Sequence, residues 1–218
     1  MCFSATASFT ASAVLATSGV FSIKKVNDVR FVPLALIPFL FSFQQFCEGI
    51  VWLSFKHHGL EGYRHVFGFM YLMVAQAIWP MFVPFSMWLA EKDLFRRYML
   101  AFLLAVGMVI GFYLGFQISS YPLSISIGKQ HIIYAPHVGT INLFNNGFLY
   151  LLATSVPPFL SSLQGMSFVG LFVVLSFSIS VLFYPSALVS VWCYFAAVIS
   201  LIIIIILNNQ NKLRKKES

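Results

Sequence analysis

Residues 31–55 read FVPLALIPFLFSFQQFCEGIVWLSF, an apolar run with a single carboxylate, Glu48. A run of this length is what a helix needs to cross a hydrocarbon core about 30 Å thick. A carboxylate near the middle of such a helix costs about 2.5–3.5 kcal/mol on insertion scales, and side chains of this kind face a bundle interior or a water-filled cavity. The stretch therefore points to a transmembrane helix bundle and to Glu48 as its first candidate site residue.

The rest of the chain agrees. Apolar residues make up 60% of 218 positions and charged residues 9%, with a mean hydropathy of +0.88, which excludes an ordinary soluble domain. The apolar runs are continuous rather than alternating, so helices and not a barrel satisfy the backbone in lipid. The expected fold is all-α: one polytopic transmembrane domain over 1–218. Its seven spans fall at about 3–23, 31–55, 65–90, 98–118, 143–160, 168–182 and 187–207, followed by a basic tail at 208–218. The sixth and seventh runs are separated only by 183–186 and also read as one broken hairpin.

Ten of the 13 basic residues lie in alternate loops and the tail: Lys24, Lys25, Arg30, Lys92, Arg96, Arg97, Lys212, Arg214, Lys215 and Lys216. Short cytoplasmic loops carry this excess, which predicts the N-terminus outside and the C-terminus cytoplasmic. The net charge of +7 is then a topology signal with some attraction to anionic lipid. The bilayer is the expected partner and nucleic acid is not. No basic n-region precedes the first run, so no cleaved signal peptide is expected. No lysine lies within a span, which rules out retinal Schiff-base chemistry. Glu48 has no second intramembrane acid with which to relay protons.

Ser4, Ser8, Ser12 and Ala16 recur every four residues and form a small-residue seam for close helix packing, with Ser4 placed to cap the helix. Pro80, Pro84 and the pair Pro157-Pro158 predict kinks. The connection 119–142 reads as an ordered external cap rather than a domain.

On the predicted topology the polar residues gather toward the outer side. Gln44, Glu48 and Trp52 follow i, i+4, i+8 on one helix face, with Gln45 beside them. Gly49 leaves room for a neighbouring backbone. Asn142, Asn146 and Tyr150 form a second such stripe, with Asn145 adjacent. Gln117 closes the fourth span, and Gln76 lies deeper on the face of His65. These amides and Trp52 are the candidate ligand-binding residues; helix-to-helix hydrogen bonding and interface anchoring are their plainer roles.

Cys2, with Glu48, is a candidate catalytic residue, because loss of Met1 exposes an amine and a thiol on one residue. Cys2, Glu48, His57, His58 and His65 are the donors that zinc or copper would take, although no HxxxH or CxxC spacing organises them.

The segments MCFSATASF at 1–9, FQQFCEGIVWL at 43–53, Trp79-Pro80 with Pro84, Asn145-Asn-Gly147 and Pro157-Pro158 resemble a bacterial family of small multi-spanning proteins that begin Met-Cys-Phe-Ser-Ala. The resemblance covers most of the chain apart from 119–142. It implies a bacterial inner-membrane location and draws attention to Cys2, Gln44, Gln45 and Glu48, and it carries no activity with it.

The expected function is an outward-facing polar pocket around Glu48 that binds a small cation, metal or polar ligand. The rival readings are a membrane-embedded enzyme on a lipid or periplasmic substrate with Glu48 as general base, a transporter, and a structural membrane protein.

Overall fold

A computed structural model describes residues 4–128, 131–136 and 147–217. The helices are α1 (Ala5–Lys24), α2 (Val32–Lys56), α3 (Glu61–Leu72), α4 (Trp79–Ala90), α5 (Leu94–Ser120), α6 (Phe148–Ser155), α7 (Pro157–Leu160), α8 (Met166–Phe183), α9 (Leu188–Ile199) and α10 (Ile202–Glu217). Strands β1 (Leu123–Ile127) and β2 (Ile132–Pro136) form an antiparallel hairpin in which Ile125 faces Tyr134. The fold is thus helical with one small sheet.

Among the described residues, six helical stretches are long and apolar enough to cross a bilayer, Ala5–Lys24, Val29–Lys56, His58–Ala90, Leu94–Ser120, Met166–Phe183 and Pro185–Gln210. The last two are separate helices rather than one broken hairpin. The expected span at 143–160 differs. Its described part, Phe148–Leu160, is roughly 20 Å long, shorter than a hydrocarbon core, and breaks at Val156 where Pro157 begins a new turn.

Two ends can be told apart. At one, the 29–31 turn packs on α4, the Glu91 carboxylate reaches Ser162, and Arg96 donates to the Leu160 carbonyl at 3.2 Å. Arg30 of the 29–31 turn and Lys92, Arg96 and Arg97 around the start of α5 lie at this basic end. At the other end the hairpin packs on α3 and on the 185–187 turn, with Ser186 Oγ 3.4 Å from His131 Nε2.

The small-residue seam joins α1 to α2. Ser12 Oγ donates to the Ser42 carbonyl at 2.9 Å, and Ser42 Oγ donates to that of Ser12 at 2.8 Å. The buried face of α1 is Ala5, Ser8, Ser12, Leu15, Gly19 and Ser22. It drifts from four-residue spacing because 3.6 residues per turn alternates threes and fours. Ser4 caps the helix, accepting from the Ala7 N–H at 3.2 Å. Gly49 meets the Phe9 ring, 2.8 Å from where a Cβ would stand, so a phenyl group and not a backbone uses that space.

The prolines of the third span act through the carbonyls they leave free. Residues Met73–Ile78 form a π-helical turn, and the Trp79 N–H bonds back to the Val74 carbonyl. The next donor in that pattern would be residue 80, a proline without an N–H. The Ala75 carbonyl is therefore left over, and the Tyr150 hydroxyl donates to it at 2.5 Å. Pro84 likewise withholds a donor from the Pro80 carbonyl, which lies only 1.8 Å from a Cβ built on Gly107. Glycine at 107 lets α5 lie against this exposed backbone.

Candidate functional site

At 100° per residue, Gln44, Glu48, Trp52 and Gln45 occupy an arc of about 100° on α2. Gln44, Gln45 and Glu48 are 0% exposed and Trp52 is 5% exposed. Two other segments meet this stripe. Ser190 of α9 donates its hydroxyl to Glu48 Oε1. Trp79 of α4 donates its indole N–H to Gln44 Oε1 at 2.8 Å, and its ring stacks on Phe41 with centroids 4.1 Å apart. Cys193, one turn beyond Ser190, stands beside Gln44, Glu48 and Tyr71.

The hairpin closes this group off. Tyr134 stacks on Tyr71 at 4.7 Å and 8°, and Ile132 is fully buried against Ala5, Val51 and Trp52. The pocket expected to open outward is thus an enclosed cluster under a two-stranded cap. An apolar surface on alternate hairpin positions covers it better than a polar loop would.

Several buried atoms of the stripe have no hydrogen-bond partner among the described residues: Glu48 Oε2, Gln45 Oε1 and Nε2, Gln44 Nε2 and Trp52 Nε1. Each such atom costs about 1–3 kcal/mol, so five together rival the ~5–15 kcal/mol by which a whole domain is stable. Among the described residues no Lys, Arg or His pairs with Glu48. The described residues thus leave both donors and acceptors of this cluster without a partner among themselves.

Two cavities adjoin the cluster. One, of about 80 Å³, runs between α2, α4, α8 and α9 and includes Phe41, Trp79, Met87, Val173 and Cys193 in its wall. The second, of about 100 Å³, includes Gln76, Leu114 and Phe177. Tyr150, Trp192 and Cys193 line both, the first two in edge contact at 5.7 Å.

The remaining expected site residues fall elsewhere. Gln76 lines the second cavity. Gln117 donates to Tyr113 of its own helix at 2.9 Å, and no hydrogen bond among the described residues ties it to Glu48. His57, His58 and His65 are exposed, and His58 lies 3.0 Å from Glu61. The proposed zinc or copper donors are therefore not assembled: the histidines lie at and near the turn after α2 while Glu48 is buried inside, and among the described residues no three His, Cys, Asp or Glu side chains converge. Cys2, Asn142, Asn145 and Asn146 lie outside the described residues, as does His137.

Sequence reasoning missed Ser190, Tyr71 and the role of Cys193. The one available signal was Ser190 and Cys193 at i, i+3 on one helix face. It also missed a second buried carboxylate. Glu91, 1% exposed, accepts from the Lys92 and Asp93 N–H groups at 2.9 and 3.0 Å and from the Ser162 N–H and hydroxyl, both at 2.7 Å. Burial alone raises the Glu91 carboxyl. The Ser162 hydroxyl and the three backbone donors outweigh it, leaving the group below its ordinary 4.5. Glu91 locks the α4–α5 connection to the segment after α7.

The chain belongs to a family of unknown function, DUF6629, whose profile matches residues 1–218. No curated protein and no solved structure matches it.

Proposed function

We propose that the Glu48 cluster is a binding site, buried in a bacterial inner membrane, for a small polar ligand that both donates and accepts hydrogen bonds. The observation that carries this reading is that Glu48 Oε2, Gln44 Nε2 and both polar atoms of the Gln45 amide have no hydrogen-bond partner among the described residues. A cage for a bare cation presents acceptors alone. Here three of the five unpartnered atoms are donors, which suits a hydroxyl, amine or amide better than a metal ion. Glu48 supplies the strongest acceptor, Ser190 orients it, and the Trp79 bond holds Gln44.

The topology that goes with this reading has seven crossings, the basic end cytoplasmic and the hairpin outside, as the placement of Lys and Arg favours. The ligand then binds under the outer cap, in the half of the membrane nearer the periplasm.

The test is thermal unfolding of purified protein with ethanolamine, ethylamine or small alcohols added. A ligand that binds the native state raises the midpoint in proportion to ln(1 + [L]/Kd). Concentration-dependent stabilisation of wild type that is lost in Glu48→Gln supports the site. Identical responses in wild type and Glu48→Gln would remove it.

A second reading, a membrane enzyme with Glu48 as general base, draws on the same free oxygen, since a base needs an open lone pair within reach of the proton it takes. Its mark would be a lipid species that accumulates in cells carrying Glu48→Gln and not in cells carrying wild type.

A further inference from the structure

We infer that the ligand of the Glu48 site is an amphiphile, its hydroxyl or amine head at Glu48 and its hydrocarbon chain in the cavity that begins at Cys193; this rests on the site reading above. The cavity has α4 along one side. Its wall follows α4 from Trp79 to Met87, roughly 12 Å, and ends at the basic side among Ile37, Met166 and Ile203.

Its wall offers a ligand no free N–H or hydroxyl donor. Of the polar side chains in it, Tyr150 donates to the Ala75 carbonyl, Thr154 to that of Tyr150 at 2.9 Å, Trp192 to that of Val173 at 3.3 Å and Ser200 to that of Ala197 at 2.6 Å. The Trp79 indole is taken by Gln44. Each of these groups has spent its donor inside the protein, so the slot favours hydrocarbon.

Polarity returns at one end. Cys193 lines the slot and stands beside Gln44 and Glu48, where the partnerless atoms lie. An apolar cavity that meets hydrogen-bonding groups at Cys193 is the complement of a single-chain amphiphile. The volume sets the scale. A water-sized body needs about 10–15 Å³ on this measure, so a cavity of about 80 Å³ encloses a chain of about six to eight methylenes.

The experiment uses the full-length protein in phosphatidylcholine nanodiscs with an octylamine carrying a diazirine at its chain terminus. Photolabelling is expected at Met87, Met166 or Ile203, saturably, and competed by octanol. Ala196→Phe, which fills the slot wall, lowers slot labelling about tenfold and leaves stabilisation by ethanolamine unchanged.

Label confined to lipid-facing residues such as Phe112 and Phe172 in wild type overturns the inference without any variant. If ethanolamine still stabilises wild type and not Glu48→Gln, the polar site stands and only its hydrocarbon arm falls. Slot labelling of equal strength in wild type and Glu48→Gln removes Glu48 as the head-group anchor and overturns the amphiphile inference, while the polar site is decided separately by its ethanolamine response.

Discussion

Two buried carboxylates divide this molecule by what surrounds them. Glu91 sits at a helix end with four donors on its two oxygens; Glu48 sits inside the bundle with one hydroxyl on one oxygen and no described residue bonded to the other. A saturated carboxylate is a joint, because every lone pair it offers is used to hold two segments together. A half-saturated one retains capacity for something else, and its burial is a standing cost. The contrast separates structure from site more sharply than burial does, since both groups are almost fully hidden.

The largest effect should come from breaking the joint. Glu91→Ala strands the Ser162 and 92–93 donors and is expected to destabilise by about 2–4 kcal/mol, seen as a lower unfolding midpoint and faster proteolysis at 160–165. The loss should be smaller if water reaches those donors, so Glu91→Gln, which keeps one acceptor, falls between.

Tyr150→Phe is expected to cost about 1–2 kcal/mol, because the Ala75 carbonyl that Pro80 leaves free loses its hydroxyl donor. A stability equal to wild type would show that the π-helical turn is relieved some other way.

Glu48→Gln should change stability by less than about 1 kcal/mol in either direction, since it removes an unsatisfied charge-bearing group along with one hydrogen bond. A loss as large as that of Glu91→Ala would make Glu48 a joint too and erase the contrast.

The smallest effect is in pH. The folded Glu91 carboxyl lies below 4.5, so the stability it contributes is fully present above the unfolded value and disappears as pH falls through the folded one. The stability gap between wild type and Glu91→Gln should therefore be flat from about pH 8 to 5 and close only below about pH 4.

Much of this was readable before any coordinates. Six of the apolar stretches follow from run length, and the Ser4 cap, the α1 seam and the stripe of Gln44, Gln45, Glu48 and Trp52 follow from spacing along one helix, all of which is local. Leu123-Ser-Ile-Ser-Ile127 alternates strictly and announced a strand, yet it was read as part of a loop because a cap of turns and strands carries no long apolar run. Glu91 went unmarked because it stands outside the spans, where a carboxylate is unremarkable until Ser162 arrives.

Residue chemistry and spacing alone decided that the chain carries helices long and apolar enough to cross a bilayer, which helix face is polar, and that Glu48 needs an explanation, because hydrophobicity and helical phase are properties of neighbouring residues. Tertiary structure decided which of the polar groups are satisfied. Ser190 meets Glu48 across 142 positions and Ser162 meets Glu91 across 71, and no periodicity reaches that far. Whether a buried oxygen is spent or spare depends on partners brought by packing, and that difference separates the fastened carboxylate from the half-satisfied one.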